Sequence, residues 1–501
     1  MLLLGYDVGT SSIKATLMDA ETQQSLASAT APAKEMEIIA EQVGWAEQHP
    51  QTWWLNVKAA TAQILAQAGI DVGDIESIGI TYQMHGLVAV DKKLEPLRPA
   101  IIWCDSRAVE IGDRAADEIG RHKCLDQLLN YPGNFTATKL KWVMENEPDI
   151  YKRIYRIMLP GDYIAMMMTG EAVTTSSGLS EAILWDFRGN HLSQMLLDYL
   201  GISPELLCPT VDTFSIQGRL TQKAATELGL KAGIKVSYRA GDQPNNAFSL
   251  NVLNPGEIAA TAGTSGVVYG VGEEPNYDAI SRVNTFIHVN HKTSDPRYGV
   301  LLCVAGTGIL NSWLKHNIMG ADDDYEKMNE LACEASIGSD GLVILPYGNG
   351  AERTLENRDI SASINGLNFN SHGKAHFLRS AQEGIVFALN YGLGIMHDMG
   401  IEVKTVRAGN ANMFLSPLFG LAFATTSGAV VELYNTDGSQ GAARGAGIGA
   451  GVYKNFNEAF SGLRKIKTIE PDPNLESQYS AAYQRWVNIL TQRLATIHSR
   501  S

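Results

Sequence analysis

The chain has 501 residues, 45% of them hydrophobic and 19% charged, which at roughly 100 to 200 residues per domain calls for at least two cores and excludes a disordered or fibrous protein. A formal net charge of -14 disfavours nucleic acid and anionic membrane, both met first through Lys and Arg, and leaves a small molecule as the expected partner. Cys104, Cys124, Cys208, Cys303 and Cys333 form no CxxC pair, and neither a signal segment nor an apolar stretch of about 18 residues occurs, so the expectation is cytoplasmic, with no disulfide framework, zinc site or membrane span.

In chain order, the first expected elements are a strand at Leu2–Val8, a tight turn Gly9-Thr10-Ser11-Ser12, a strand over 13–18 and a third apolar stretch after Glu21-Thr22-Gln23. Residues 51–68 carry Trp54, Val57, Ala60, Ile64 and Leu65 at helical spacing. A β-like run over 75–81 follows and ends in Gln83-Met84-His85-Gly86, completing an α/β pattern. Near residue 250 the plan restarts: strand at Glu257–Ala262, turn Gly263-Thr264-Ser265-Gly266, strand over 267–270. There is no fixed sequence period, so any repeat is structural. The break falls at 250–255, where Asn and Pro cluster, giving an N-terminal domain 1–249 and a C-terminal domain 250–501. The Gly- and Ala-rich residues 441–451 read either as a linker or, given their apolar flanks, as a tightly packed helix of small residues. Residues 474–497 read as a surface helix.

A strand feeding a Gly-Thr-Ser turn offers backbone N–H groups and small hydroxyls with nothing bulky in the way, as close approach to a phosphate requires. Gly9, Thr10, Ser11 and Ser12 alone are also an ordinary hairpin turn. A second such turn at Gly263, Thr264 and Ser265 suggests two facing hairpins gripping a triphosphate, with Asp7 supplying a carboxylate for hydrated Mg²⁺. Asp242, two residues before Pro244, suits a helix N-cap as well as a proton acceptor. His85 reads as a core histidine or a polar group at a strand end. Trp103 reads as a core aromatic or, beside Asp105, as an apolar wall for a bound small molecule. Lys14 reads as a solvated strand end.

Gly5-Tyr6-Asp7-Val8-Gly9-Thr10-Ser11-Ser12-Ile13-Lys14 and Thr261-Ala262-Gly263-Thr264-Ser265-Gly266 resemble the two phosphate loops of the FGGY carbohydrate kinases, relatives of actin and hexokinase. Gly44-Trp45-Ala46-Glu47-Gln48, Gln83-Met84-His85-Gly86, Trp103-Cys104-Asp105-Ser106-Arg107 and Leu159-Pro160-Gly161-Asp162-Tyr163 are similar, in the same order, to the xylulokinase branch. Gly241-Asp242 corresponds to the family's catalytic aspartate, and Gln440-Gly441-Ala442-Ala443 to a late stretch near the nucleotide. The chain departs from the pattern at Ala408-Gly409-Asn410-Ala411-Asn412, where the family has a run of glycines, and at Cys104, where xylulokinases often carry Asn. Asn134 and Gln382 are single departures within the two family signatures.

The resemblance implies two ribonuclease H-like, actin-type α/β domains around a cleft. Sugar would bind mostly on the first domain, at Gln83, Met84, His85, Trp103, Asp105 and Asp242, and ATP mostly on the second. It implies phosphoryl transfer from ATP to D-xylulose, with Asp242 as base, Asp7 placing Mg²⁺, and Gly9, Thr10, Ser11, Ser12, Gly263, Thr264, Ser265, Gly409, Asn410 and Asn412 holding the nucleotide. A kinase for another ketose, a polyol or gluconate is the rival. Glycerol is disfavoured because Met84-His85 replaces an Arg-Glu pair, and a silent sugar sensor or assembly protein because both Asp7 and Asp242 are present. A homodimer is a family expectation.

Overall fold

The computed structural model describes residues 1–320 and 323–498. The first half is built on a six-stranded sheet of β1 (Leu2–Val8), β2 (Ile13–Asp19), β3 (Ser25–Ala31), β4 (Ile75–Tyr82), β5 (Phe214–Arg219) and β6 (Lys235–Gly241), ordered β5-β6-β4-β1-β2-β3. β1 is apolar on both faces because it is central and covered on both. β3, at the edge, alternates exposed polar residues with buried Ala27, Ala29 and Ala31, over which α1 (Pro50–Ala68) packs. Between β4 and β5 a mostly helical insertion builds its own core around Leu87, Leu128, Phe135 and Leu140. After β6 comes α2 (Asp242–Ser249).

The second half repeats the plan. Its sheet comprises β7 (Glu257–Ala262), β8 (Gly266–Gly272), β9 (Asn284–Ile287), β10 (Tyr298–Val304), β11 (Thr405–Gly409), β12 (Val430–Tyr434) and β13 (Lys465–Ile469), ordered β9-β10-β8-β7-β11-β12-β13. The stretches β3-β2-β1-β4-β6 and β10-β8-β7-β11-β12 have the same pairing, two antiparallel joints followed by two parallel ones. The expected α/β class with two sheet-based domains is what forms, and the repeat is one of topology.

Among the helices of this half are α3 (Gly308–Asn317), α4 (Lys374–Asp398), α5 (Gly438–Gly449) and α6 (Glu476–His498). α6 is a surface helix with one core face: Tyr479, Ala482, Trp486 and Leu490, three or four residues apart, are buried. The Gly/Ala stretch is helical, so the linker reading fails. Its small residues let α5 lie directly on β1, β4 and β6 of the other half, where a Cβ on Gly79 would stand 1.9 Å from the Ala442 carbonyl oxygen. In return α2 sends Ala247 into a cluster with Ala259, Tyr269 and Val271 of the second sheet. The two helices run side by side, and each covers the other half's sheet.

Candidate active site

Parallel strands end at one edge, and register decides how level those ends are. Val8 and Gly241 both pair with Tyr82, so β1, β4 and β6 stop together and deliver Asp7, the 9–12 turn, Gln83 to His85 and Asp242 to one rim. In the second half Ala260 pairs with Ala408 and Gly409 with Tyr434, which brings the 263–265 turn, Asn410 to Asn412 and Asp437 to the corresponding rim.

Three carboxylates meet where the rims face. Asp437, from the second half, caps α5 by accepting the Gln440 N–H at 3.0 Å and pairs with Lys14 of β2 at 2.6 Å. Burial works against its charge, but Lys14 and the hydrogen bonds from Gln440 and Ser439 prevail and hold it below the usual carboxylate range. Lys14, read as a solvated strand end, thus carries a contact between the halves. Asp7 lies so close to the start of α5 that a Cβ on Gly438 would come within 2.4 Å of its Oδ2. Burial and the charge of Asp437 push Asp7 up to about 6, against the pull of Lys14. Asp242 is the first residue of α2, whose N-cap is Gly241, so the N-cap reading does not hold. Burial and then the charge of Asp7 push Asp242 up to about 7, although N–H groups of Gln243 favour its ionised form. It has no ion pair among the described residues, and at neutral pH it gains and loses a proton readily.

His85 adopts φ 60 and is held from both sides. Its carbonyl accepts the buried Lys139 ammonium at 2.9 Å, and its Nδ1 lies 2.7 Å from the Glu181 carbonyl oxygen. A carbonyl only accepts, so Nδ1 carries the proton and Nε2 is left as an acceptor. Burial and the Lys139 charge lower its pKa to about 3, so the ring is neutral. It packs edge-on to Phe135 and at 5.4 Å from Phe286, which belongs to the second half. Burial pushes Lys139 itself down to about 7.

Trp103 is 50% exposed and donates its indole N–H to Thr10 Oγ1 at 2.9 Å, so it is no core aromatic. Gln83 is buried and hydrogen-bonded to Thr10, while Met84 lies in the core of the helical insertion. Asp105 is 0% exposed, with both oxygens taken by Arg107 and the Ala46 N–H, so in this conformation it meets no ligand and braces the wall behind Trp103.

On the second rim a cavity of about 490 Å³ opens beside the 263–265 turn, with Gly263, Thr264, Ile309, Tyr325, Asn412 and Leu415 in its lining. The turn is stapled to α3, whose Gly308 and Ile309 N–H groups donate to the carbonyls of Gly263 and Thr264 at 2.9 and 3.1 Å. Asn412, at φ 55, reaches the cavity, whereas Gly409 and Asn410 form the turn that carries it and Ser265 turns toward Cys303. Ile309, Tyr325 and Leu415 are exposed here and offer an apolar wall suited to a flat heterocycle. Sequence reasoning missed all three, as well as Asp437 and Lys139. The only available signal was an Asp at the head of a small-residue helix, repeating the position of Asp242. Among the described residues no three His, Cys, Asp or Glu side chains, the three carboxylates of the rims included, are placed to hold one metal ion together. Asp7, raised by burial and a neighbouring anion, fits the one- or two-carboxylate, water-rich coordination of magnesium.

Residues 2–249 match the FGGY family of carbohydrate kinases, N-terminal domain, and residues 258–430 match the C-terminal domain of the same family. The xylulose kinase of Bacillus subtilis (strain 168) is 28% identical over 496 residues, covering 98% of this chain and 96% of its own. The L-xylulose/3-keto-L-gulonate kinase of Escherichia coli (strain K12) is 28% identical over 510 residues, covering 99% of this chain and 98% of its own. The crystal structure of a xyloylose kinase from Brucella ovis superposes with a TM-score of 0.89 at 26% identity, covering both chains completely.

Proposed function

The chain belongs to the FGGY family of carbohydrate kinases, and from that premise we propose that it moves the γ-phosphoryl group of ATP onto D-xylulose, with Asp242 as general base. A sugar kinase needs an acceptor for the attacking hydroxyl's proton, held where sugar and triphosphate meet. The observation that carries the assignment is a partly buried carboxylate with no ion pair among the described residues, placed by the end of β6 at the junction of the two rims, where burial and Asp7 raise its pKa to about 7.

Residues 1–249 are assigned the sugar and 250–501 the nucleotide. His85 Nε2 accepts a sugar hydroxyl, Trp103 gives the apolar surface on which the carbon chain lies, and Asp105 keeps that wall in place through Arg107. The adenine lies between Ile309, Tyr325 and Leu415, and the backbone amides of the 9–12 and 263–265 turns face the phosphates. In a loose transition state the proton leaves late, so Asp242 first orients the hydroxyl and then takes its proton. Mg²⁺, when bound at Asp7, neutralises phosphate charge. Closure of the rims excludes water, limiting hydrolysis of ATP.

ADP release measured against D-xylulose, L-xylulose, D-ribulose, 3-keto-L-gulonate, gluconate and glycerol tests this. D-xylulose should give the highest kcat/KM. A higher value for 3-keto-L-gulonate would move the substrate to a sugar acid, a substrate named for the Escherichia coli relative that is also 28% identical. Turnover of none of them would end the substrate assignment.

A further inference from the structure

Three side chains close a ring behind the first phosphate turn, and its hydrogen-bond directions follow from chemistry alone. Trp53 Nε1, which can only donate, lies 2.9 Å from Gln48 Oε1 and fixes that amide. Gln48 Nε2 then donates to the Thr10 carbonyl at 2.8 Å. Because Gln48 Oε1 accepts, Gln83 must present Nε2 to it, at 3.3 Å, and turn Oε1 toward Thr10. The Thr10 hydroxyl therefore donates to Gln83 Oε1 at 3.1 Å while accepting the Trp103 indole N–H at 2.9 Å. Gln48 and Gln83 are both 2% exposed, so water does not compete for the bonds that Trp53, Gln48 and Gln83 make to one another. The only hydrogen on the Thr10 hydroxyl is spent inside the protein and is not available to a phosphate oxygen.

We propose that Thr10 is a positioning residue whose hydroxyl ties the wall at Trp103 and Gln83 to the 9–12 turn, so that a sugar seated on Trp103 sets how the turn's amides meet the triphosphate. The inference rests on the kinase reading and gives it a residue-level coupling between its two substrates. Trp103, half-exposed and bonded to the ring through Thr10, is the group a ligand can press on, and Thr10 contributes both its side chain to the ring and its backbone to the turn. A sugar that shifts the indole thereby shifts the turn, and by linkage the nucleotide favours the same arrangement.

The test is calorimetric titration of a non-hydrolysable ATP analogue with magnesium, with and without saturating D-xylulose, on the parent, Thr10→Val, Thr10→Ser and Trp103→Phe. The parent should bind nucleotide at least about fivefold tighter with sugar present, and Thr10→Ser, which keeps both hydrogen bonds, should retain that ratio. Thr10→Val and Trp103→Phe should each bring the ratio to within about twofold of one, on the same linkage. If Thr10→Val weakens nucleotide binding equally with and without sugar, the hydroxyl serves phosphate and the proposal is overturned. A parent ratio near one overturns it as well, even if D-xylulose is turned over. Failure of the kinase reading shows separately, as no turnover of any sugar by the parent. Should Thr10→Val not fold, Trp103→Phe at the exposed end of the ring decides alone: a retained ratio refutes the proposal.

Discussion

The two halves place a hairpin turn, a post-strand segment and a helix-initiating aspartate at equivalent points of the same five-strand plan, and give them different chemistry. After the fourth strand of the unit, one half has Gln83-Met84-His85 and the other Asn410-Ala411-Asn412, each with a left-handed residue, His85 at φ 60 and Asn412 at φ 55. After the fifth, one half has Asp242 and the other Asp437. Asp437 is met by Lys14 and by hydrogen-bond donors of its own helix, and its carboxyl is held low. Asp242 has no ion pair among the described residues, stands beside the charge of Asp7, and is pushed up to about 7. The difference shows how one topological position becomes a structural cap when a lysine answers it and a candidate base when none does.

The strongest way to break this comparison is to neutralise the two aspartates in turn. Asp242→Asn should lower kcat by about 10²- to 10⁴-fold while sugar and nucleotide affinities change only about threefold, since the amide keeps the shape and loses the proton acceptor. Asp437→Asn should leave kcat within about tenfold of the parent, because it removes an ion pair, keeps a capping oxygen and touches no reacting group. Steady-state rates of both variants decide it. Equal losses would mean that the two sites are not chemically distinct.

The comparison sharpens at the post-strand segments, which separate sugar from nucleotide. His85→Ala removes the Nε2 acceptor and should erode the preference for D-xylulose over D-ribulose by about ten- to a hundredfold in kcat/KM, at roughly 1–3 kcal/mol for each sugar hydroxyl left unpaired. Nucleotide KM should stay within about threefold, as a sugar-side contact requires. A lowered melting temperature with the sugar ranking unchanged would return His85 to the core.

Much of this was legible because it is local. Short apolar runs on either side of a Gly-Thr-Ser turn marked β1 and β2, and helical spacing marked α1. Asp105 is a local case read differently: Arg107, two residues on, takes the carboxylate that the resemblance assigned to the sugar. Lys14 and Asp437 are 423 positions apart and meet only because α5 crosses onto the first sheet, which no period in the sequence encodes. The apolar wall at Ile309, Tyr325 and Leu415 comes from three separate segments, each unremarkable by itself.

Acid should stop the reaction through the raised pair. In the free enzyme Asp242 at about 7 must be ionised to accept a proton, so kcat/KM should fall about tenfold per pH unit below that value. Below about 6 Asp7 protonates as well, and the slope should approach two. The carboxylates interact, so the two breaks belong to the pair and not to either residue. A profile flat down to pH 5 would remove Asp242 as the base, and in Asp242→Asn the residual rate should lose the upper break.

The smallest expected effect concerns stability and gives the two aspartates opposite signs. An aspartate in the unfolded chain titrates near 3.9, whereas Asp242 in the folded protein holds its proton up to about 7. Between those values the folded state binds the extra proton, so the stabilisation is complete below about 3.9 and is lost as pH climbs through about 7. At pH 8 the ligand-free, metal-free protein therefore keeps an ionised, partly buried carboxylate at a net cost, and Asp242→Asn should melt a few degrees higher than the parent, with the gain vanishing near pH 4. Asp437, held low, contributes in the opposite sense: its stabilisation is present at neutral pH and lost in acid. Asp437→Asn keeps a capping oxygen but loses the charge that meets Lys14, about 0.2–1 kcal/mol, and should melt slightly lower at pH 8. Thermal melts of the three proteins at pH 4, 6 and 8 read both signs, and a fall in melting temperature for Asp242→Asn at pH 8 would mean that its carboxylate is held in place for structure, as Asp437 is.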